Sequence, residues 1–279
     1  MPTIRYAVRA SQGARSYQED AAAAWPGTGG GPDAPTRPPH SPQLSPLAPK
    51  GSPPAGIALA AVLADGMGGH AAGDVASAMI CGIFLQRLAA VPGLAPEAVP
   101  DALAQCLSAA NAAIRAKVDA NPGLSGMGAT CVGLVVGPAG LDWISIGDSP
   151  LFIFRRGTLL RLNADHSLAP MLDQLVAESK MTADQARADP RRHQLRAAVT
   201  GDDLDLIDGS DQPLQLEAGD VILLASDGVL TLDDEDIRRL LAAYRDDGAG
   251  AIADALIRAV DAAGAAHQDN TTVVVVAVR

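Results

Sequence analysis

The sequence predicts an α+β fold in which helices pack outside antiparallel sheets, and three observations carry that reading. Apolar β-type runs and Ala-rich segments of helical period come in blocks, in the order strands, helices, strands, helices, strand, rather than in strict alternation. The short central runs are separated by Gly, Pro and Asp turn signals. The last segment, TTVVVVAVR, is apolar at too many consecutive positions to be anything but a buried strand.

In chain order, DAAAAW and IALAAVLAD read as two strands of one domain. Between them, residues 26–55 hold ten of the 20 prolines and almost nothing that could form a core, which predicts a mobile loop inserted between the strands. Asp74–Ala90 and Glu97–Ala120 are Ala-rich with apolar positions at helical spacing; Pro100 falls near the start of the second helix, where it is tolerated. Runs at 129–136, 141–147, 150–156 and 158–162 predict an antiparallel meander. Ser167–Gly201 is polar and helix-prone, carries Arg187, Arg191, Arg192 and Arg196, and reads as an excursion from the sheet. Residues 220–226 return to strand, and DDEDIRRLLAAY and GAIADALIRAVDAA are two further helices before the last strand. There is no internal repeat, and residues 1–279 are read as one domain.

The composition excludes several classes. Of 279 residues, 48% are hydrophobic and 19% charged, which suits a chain with a well-buried core. A net charge of -11 offers no basic field for nucleic acid or anionic lipid, so neither is expected as a partner. Two Trp, three Tyr and three Phe are too few for base-stacking platforms. Cys81, Cys106 and Cys131 lie in apolar stretches without CxxC spacing and read as reduced core residues. The start, MPTIRYAVRASQG, has no apolar signal region, and no run is expected to approach the ~18 apolar residues of a membrane span. A cytoplasmic address and, without heptads, a monomer are the expectations.

The aspartates carry the chemical signal by where they sit. Asp65 ends AVLAD and is followed by GMGGH; Asp148 ends WISIG; Asp227 ends VILLAS; Asp269 precedes the last strand; Asp20 lies in QEDAAAAW. One such Asp is ordinarily a turn former or helix cap. Several at one sheet edge repel one another unless cations lie between them. Hard divalent ions such as Mg²⁺ or Mn²⁺ suit an all-oxygen donor set, whereas no Cys cluster or HExxH favours zinc. Gly66 and Gly68–Gly69 would allow close backbone approach, or simply a tight turn.

These residues resemble the type 2C metal-dependent Ser/Thr protein phosphatases in their bacterial stand-alone form. Seven blocks appear in family order across nearly the whole chain: Arg15–Asp20, Asp65–His70, Gly126–Thr130, Gly147–Ser149, Asp165–Ser167, Ser226–Gly228 and Asp269–Asn270. Any one is weak; the ordered set is specific. The resemblance implies a four-layer αββα sandwich with two central antiparallel sheets and a dinuclear Mn²⁺ or Mg²⁺ centre. By that resemblance Asp65 bridges the two ions, Gly66 offers a carbonyl, and Asp227 and Asp269 complete the first site. Glu19 and Asp20 match acids that hold bound water, and Asp148 with Asp227 matches a third metal site. Arg15 matches the guanidinium that grips phosphate, and segment 167–201 matches a flap tied to substrate choice. Phosphorylated proteins and a cognate Ser/Thr kinase are the implied partners.

The residue types suit that chemistry. Two ions roughly 3.5 to 4 Å apart activate a water for in-line attack on phosphorus, and a planar guanidinium can hold two phosphate oxygens. No CxxxxxR loop suggests a covalent intermediate. Two departures stand out. Met67 occupies the place where animal members carry a His thought to protonate the leaving alcohol, which leaves His70, His166, His193 or a bound water to consider. Pro150 stands where the family usually has Arg. The flap arginines would either greet acidic phosphopeptides or form a solvated face. A non-catalytic binding module and a two-metal nuclease are the competing readings; the retained Asp65, Asp227 and Asp269 oppose the first, and the acidic charge opposes the second.

Overall fold

The computed structural model describes residues 3–27, 30–33, 47–68, 72–91 and 93–279. It begins with strand β1 (Ile4–Ser11), followed by β2 (Ala21–Pro26), a short β3 (Gly30–Pro32), β4 (Leu59–Ala64) and β5 (Gly66–Met67). Helices α1 (Ala72–Ala89) and α2 (Val99–Ala120) come next, then β6 (Gly128–Ala129), β7 (Cys131–Gly137), β8 (Gly140–Ile146), β9 (Leu151–Arg155) and β10 (Thr158–Arg161). After α3 (Ala169–Ala177) and α4 (Ala183–Ala188) the chain runs through β11 (Asp208–Gly209), β12 (Val221–Ala225), α5 (Asp234–Tyr244), α6 (Ala249–Ala263) and β13 (Thr271–Val278).

Six strands form one sheet in the order β10-β9-β12-β13-β1-β3, and five form another, β11-β8-β7-β4-β2. Pairing within them is antiparallel except at the edge, where β3 runs parallel to β1 from Ile4 against Gly30 to Tyr6 against Pro32. The sheets stack face to face, with α1 and α2 outside the five-stranded sheet and α5 and α6 outside the six-stranded one. This is the αββα sandwich.

The two-residue period of a strand explains why β4 and β13 are buried along their whole length. Leu59, Ala61 and Leu63 enter the layer between the sheets, while Ala60 and Val62 enter the layer beneath α1 and α2. On β13, Val274, Val276 and Val278 face the opposite sheet, and Val273, Val275 and Ala277 face α5 and α6. Each such valine contributes about 1.5–3 kcal/mol of burial.

Several expectations need correction. The four central runs are not one meander: β7 pairs with β8 and β9 with β10, but β8 and β9 lie in different sheets, and the chain crosses between them at 147–150. The Pro-rich loop is tied down at both ends, by β3, by Trp25 Nε1 donating to the Gly51 carbonyl at 2.8 Å, and by Leu47 and Ala48 packed against the helix-side core. Its residues 28–29 and 34–46 lie outside the described residues. The sequence reading passes over β1, whose Arg5 and Arg9 interrupt an otherwise apolar run. Helix α2 begins two residues later than expected because a 3₁₀ turn occupies Pro96–Ala98, with Pro100 in the first helical turn. Helix α1 does have the length and mean hydropathy (1.2 over 18 residues) of a membrane span; half of that window is buried, against α2 and β4. Cys81, Cys106 and Cys131 are free thiols in the helix-side core, as read from their surroundings.

Candidate active site

Antiparallel pairing carries the acidic residues to one edge. Asp65 leaves the C-terminal end of β4, Asp148 lies in the crossover after β8, Asp227 follows β12, and Asp269 precedes β13, which runs opposite to β12. Arg15 and Glu19 come from the loop between β1 and β2 at the same edge. Together with Gly66, Met67, Thr130, His193 and Asn270 they line a cleft of about 300 Å³. Asp20 is the one sequence-predicted site residue not lining it; it is buried behind the wall, with the Ser226 hydroxyl donating to its Oδ2 at 2.7 Å.

Hydrogen bonds from motif residues hold the backbone segments that carry these carboxylates. The Asp65 N–H donates to Thr130 Oγ1 at 2.9 Å, and the Thr130 N–H returns a bond to the Asp65 carbonyl at 2.9 Å. Thr130 Oγ1 lies 2.7 Å from Ser149 Oγ, which links the Asp65 and Asp148 segments through buried hydroxyls. The buried Asn270 side chain accepts from the Glu19 N–H at 2.7 Å and donates to the Gln12 and Tyr17 carbonyls, both at 2.9 Å. It clips the Arg15–Glu19 loop onto the start of β13. Gly66 is needed for close approach: a Cβ there would lie 2.3 Å from the Gly73 carbonyl oxygen and 2.5 Å from that of Glu19. Gly68 has φ +131°, which side chains rarely adopt, while Gly69 and His70 lie outside the described residues. Thr130, Ser149 and Asn270 stand in blocks the sequence singles out, but nothing local signals their roles as braces.

Electrostatically the edge is frustrated. Burial, and then the charges of Asp227 and Asp269, push Asp20 up to about 7. Asp65 stands well above the usual carboxylate range through burial and then the charges of Asp20, Asp227, Asp148 and Asp269. Burial and then Asp227 and Asp165 carry Asp148 to about 7, and burial with the Asp269 charge raises Asp227. Asp20 Oδ1 is buried and makes no hydrogen bond of ordinary geometry, although the Thr272 hydroxyl is near enough to pull its pKa down.

Among the described residues no three of these side chains close around a single point. Asp269 is paired with Arg15, and Asp20 with Ser226. The donor set nevertheless fits hard divalent cations: the cleft is lined by anionic, partly desolvated oxygens, and behind its wall Asp20 keeps a buried carboxylate oxygen lacking a normal hydrogen bond.

The departures find physical explanations. The cation missing at Pro150 has a counterpart in Arg161 on β10, whose Nη2 donates to the Asp148 carbonyl at 2.8 Å. His166 is a structural clasp rather than a proton donor: its Nδ1 accepts from the Gly147 N–H at 3.2 Å, and burial lowers its pKa. His193, from the excursion after α4, lines the cleft. Of the four flap arginines, Arg187 pairs with Asp184, Arg191 with Asp189 and Arg192 with Asp173, which favours the solvated-face reading for those three.

The family model described as Protein phosphatase 2C matches residues 52–268. The chain belongs to the protein phosphatase 2C family. Its matched part is 35% identical over 167 residues to the serine/threonine protein phosphatase PstP of Mycobacterium tuberculosis, covering 60% of this chain and 31% of that protein. The chain thus spans about a third of the length of that curated relative. A structure of the PstP catalytic domain in complex with two manganese ions is 28% identical, with a TM-score of 0.71 over 100% of this chain and 99% of that one. The S. agalactiae serine/threonine phosphatase, 23% identical, shares the fold at a TM-score of 0.79 over 99% and 100% of the two chains. This family member therefore carries the fold on which the acidic edge was expected.

Proposed function

We propose that the chain is a Mn²⁺- or Mg²⁺-dependent hydrolase of phosphoserine and phosphothreonine in proteins, acting on the products of a cognate Ser/Thr kinase. The observation that carries the reading is the convergence of Arg15 with Glu19, Asp65, Asp148, Asp227 and Asp269 on one cleft from five separate chain segments. The manganese complex of a relative supports the choice of ion. Asp65, the Gly66 carbonyl, Asp227 and Asp269 would hold two ions, with Glu19 and Asp20 supporting bound water and Asp148 with Asp227 a third ion. Bound divalent ions supply an activated water and neutralise charge on the phosphoryl group.

The protein's own residues do the rest. Arg15 is half-exposed at the cleft mouth, where its fork can take two phosphate oxygens once it leaves Asp269. Most of the barrier reduction for a reaction this slow comes from such positioning and charge compensation. His193 lines the same cleft and can hand a proton to the departing alcohol oxygen, the role left open by Met67.

The test is hydrolysis of a small aryl phosphate and a phosphothreonine peptide by chelator-treated protein, with and without millimolar Mn²⁺. Metal-dependent release that falls by roughly 10³-fold in Asp65→Asn and Asp227→Asn is the expected outcome. A folded wild type silent on both substrates with Mn²⁺ and Mg²⁺ would exclude the hydrolase.

A further inference from the structure

A second groove, of about 580 Å³, adjoins the catalytic cleft and shares Met67, His193 and Leu195 with it. A phosphoresidue held in the cleft has polypeptide on both sides, and an extended chain advances only ~3.3 Å per residue. A groove that shares a wall with the cleft therefore meets the first few residues flanking the phosphate. Its floor includes Ala197 and Ala198, which suits the apolar stem of a long side chain.

The charge of the groove is opposite to what the arginine-rich flap suggests. Three flap guanidinia are already paired within the flap, Arg192 with both carboxylate oxygens of Asp173 at 2.8 and 2.9 Å. The groove itself presents Asp202, Asp203 and Asp205 against the single guanidinium of Arg196. Asp203 and Asp205 are exposed and take part in no ion pair among the described residues. The Asp202 carboxylate accepts a 3.3 Å bond from the Thr200 hydroxyl, while its backbone carbonyl accepts from Asn111 Nδ2 at 2.7 Å.

We propose that this groove is the subsite for substrate polypeptide beside the phosphoresidue, and that it selects Lys or Arg side chains there. The proposal rests on the phosphatase reading and gives it a substrate class: phosphoproteins with basic residues flanking the phosphate. Ammonium and guanidinium heads reach Asp203 and Asp205 while their stems lie along the alanine floor. An acidic flank meets uncompensated like charge.

Two phosphothreonine peptides, one flanked by Lys and one by Glu, are compared by kcat/KM with Mn²⁺ at low salt, alongside a small aryl phosphate. The expected preference for the Lys peptide is roughly fivefold, the combined effect of two exposed ion pairs. In Asp203→Asn/Asp205→Asn the ratio between the peptides falls toward one. Raising the salt shrinks the wild-type ratio too, a readout that does not depend on any variant folding. A wild-type ratio of one or below, or a ratio unchanged in the double variant, would overturn the subsite while hydrolysis of the aryl phosphate keeps the phosphatase reading. Silence toward the aryl phosphate as well would overturn both.

Discussion

Asn270 accepts from the Glu19 N–H and donates to two carbonyls of the loop that carries Arg15. Replacing it by Ala leaves part-buried backbone groups without this partner, so Asn270→Ala is expected to lose about 1–2 kcal/mol of stability in denaturant titration. It should also weaken Mn²⁺ binding measured by calorimetry, because Glu19 is no longer held against β13. His193 makes a different prediction. A phosphothreonine alcohol is a poor leaving group and an aryl oxide a good one, so only the former needs a proton. His193→Gln should lower kcat on the phosphothreonine peptide by roughly 10²-fold and on an aryl phosphate much less. Equal losses on both substrates would remove the proton-donor role. At this scale the sequence was partly legible. The acids announced themselves by sitting at strand ends, but the braces Thr130, Ser149 and Asn270 are small polar residues whose work depends on partners distant in the chain. His166 and His193 are alike as sequence, and only burial of one and cleft exposure of the other separates them.

Helix α1 docks on the five-stranded sheet through Phe84, whose ring lies over Gly133 of β7; a Cβ at 133 would come within 2.2 Å of the ring. Gly133→Ala is accordingly expected to cost about 1–3 kcal/mol through overpacking, with a matching loss in thermal unfolding temperature. The flap is the other element with a testable consequence. Deleting residues 172–195 removes most of α3, all of α4 and the turn that carries His193, and should impair phosphoprotein turnover more than turnover of an aryl phosphate. Similar losses on both would show that the flap is needed for the cleft itself. The helices and most strands could be read from local periodicity, since α1, α2, α5, α6, β12 and β13 fall within a few residues of their expected bounds. The crossover at 147–150 could not, because β7 to β10 have similar local patterns and their division between two sheets depends on which partner each strand finds.

For the molecule as a whole, the acidic edge links stability to pH and metal. Asp20 and Asp148 titrate near 7 in the folded chain against a usual 3.8, so the folded state binds protons that the unfolded state has released. The stability they contribute is complete below about pH 4 and is lost as pH rises through about 7. Chelator-treated protein should therefore unfold at a lower temperature at pH 8 than at pH 5. Millimolar Mn²⁺ should raise the unfolding temperature most at the higher pH, since ions bind the ionised carboxylates. A metal-free unfolding temperature that rises across this range would contradict the assignment. The sequence by itself determined the fold class, the acidic character, the apolar layers and which acids end at strand edges, because strand and helix periods and the ordered blocks are written along the chain. Tertiary structure alone decided which strands share a sheet, how Ile4 comes to face Val278, and that three of the flap's four arginines are neutralised while the neighbouring groove is negative. Such contacts join residues far apart in sequence, and the free energy of pairing depends on which groups burial brings together rather than on any local pattern.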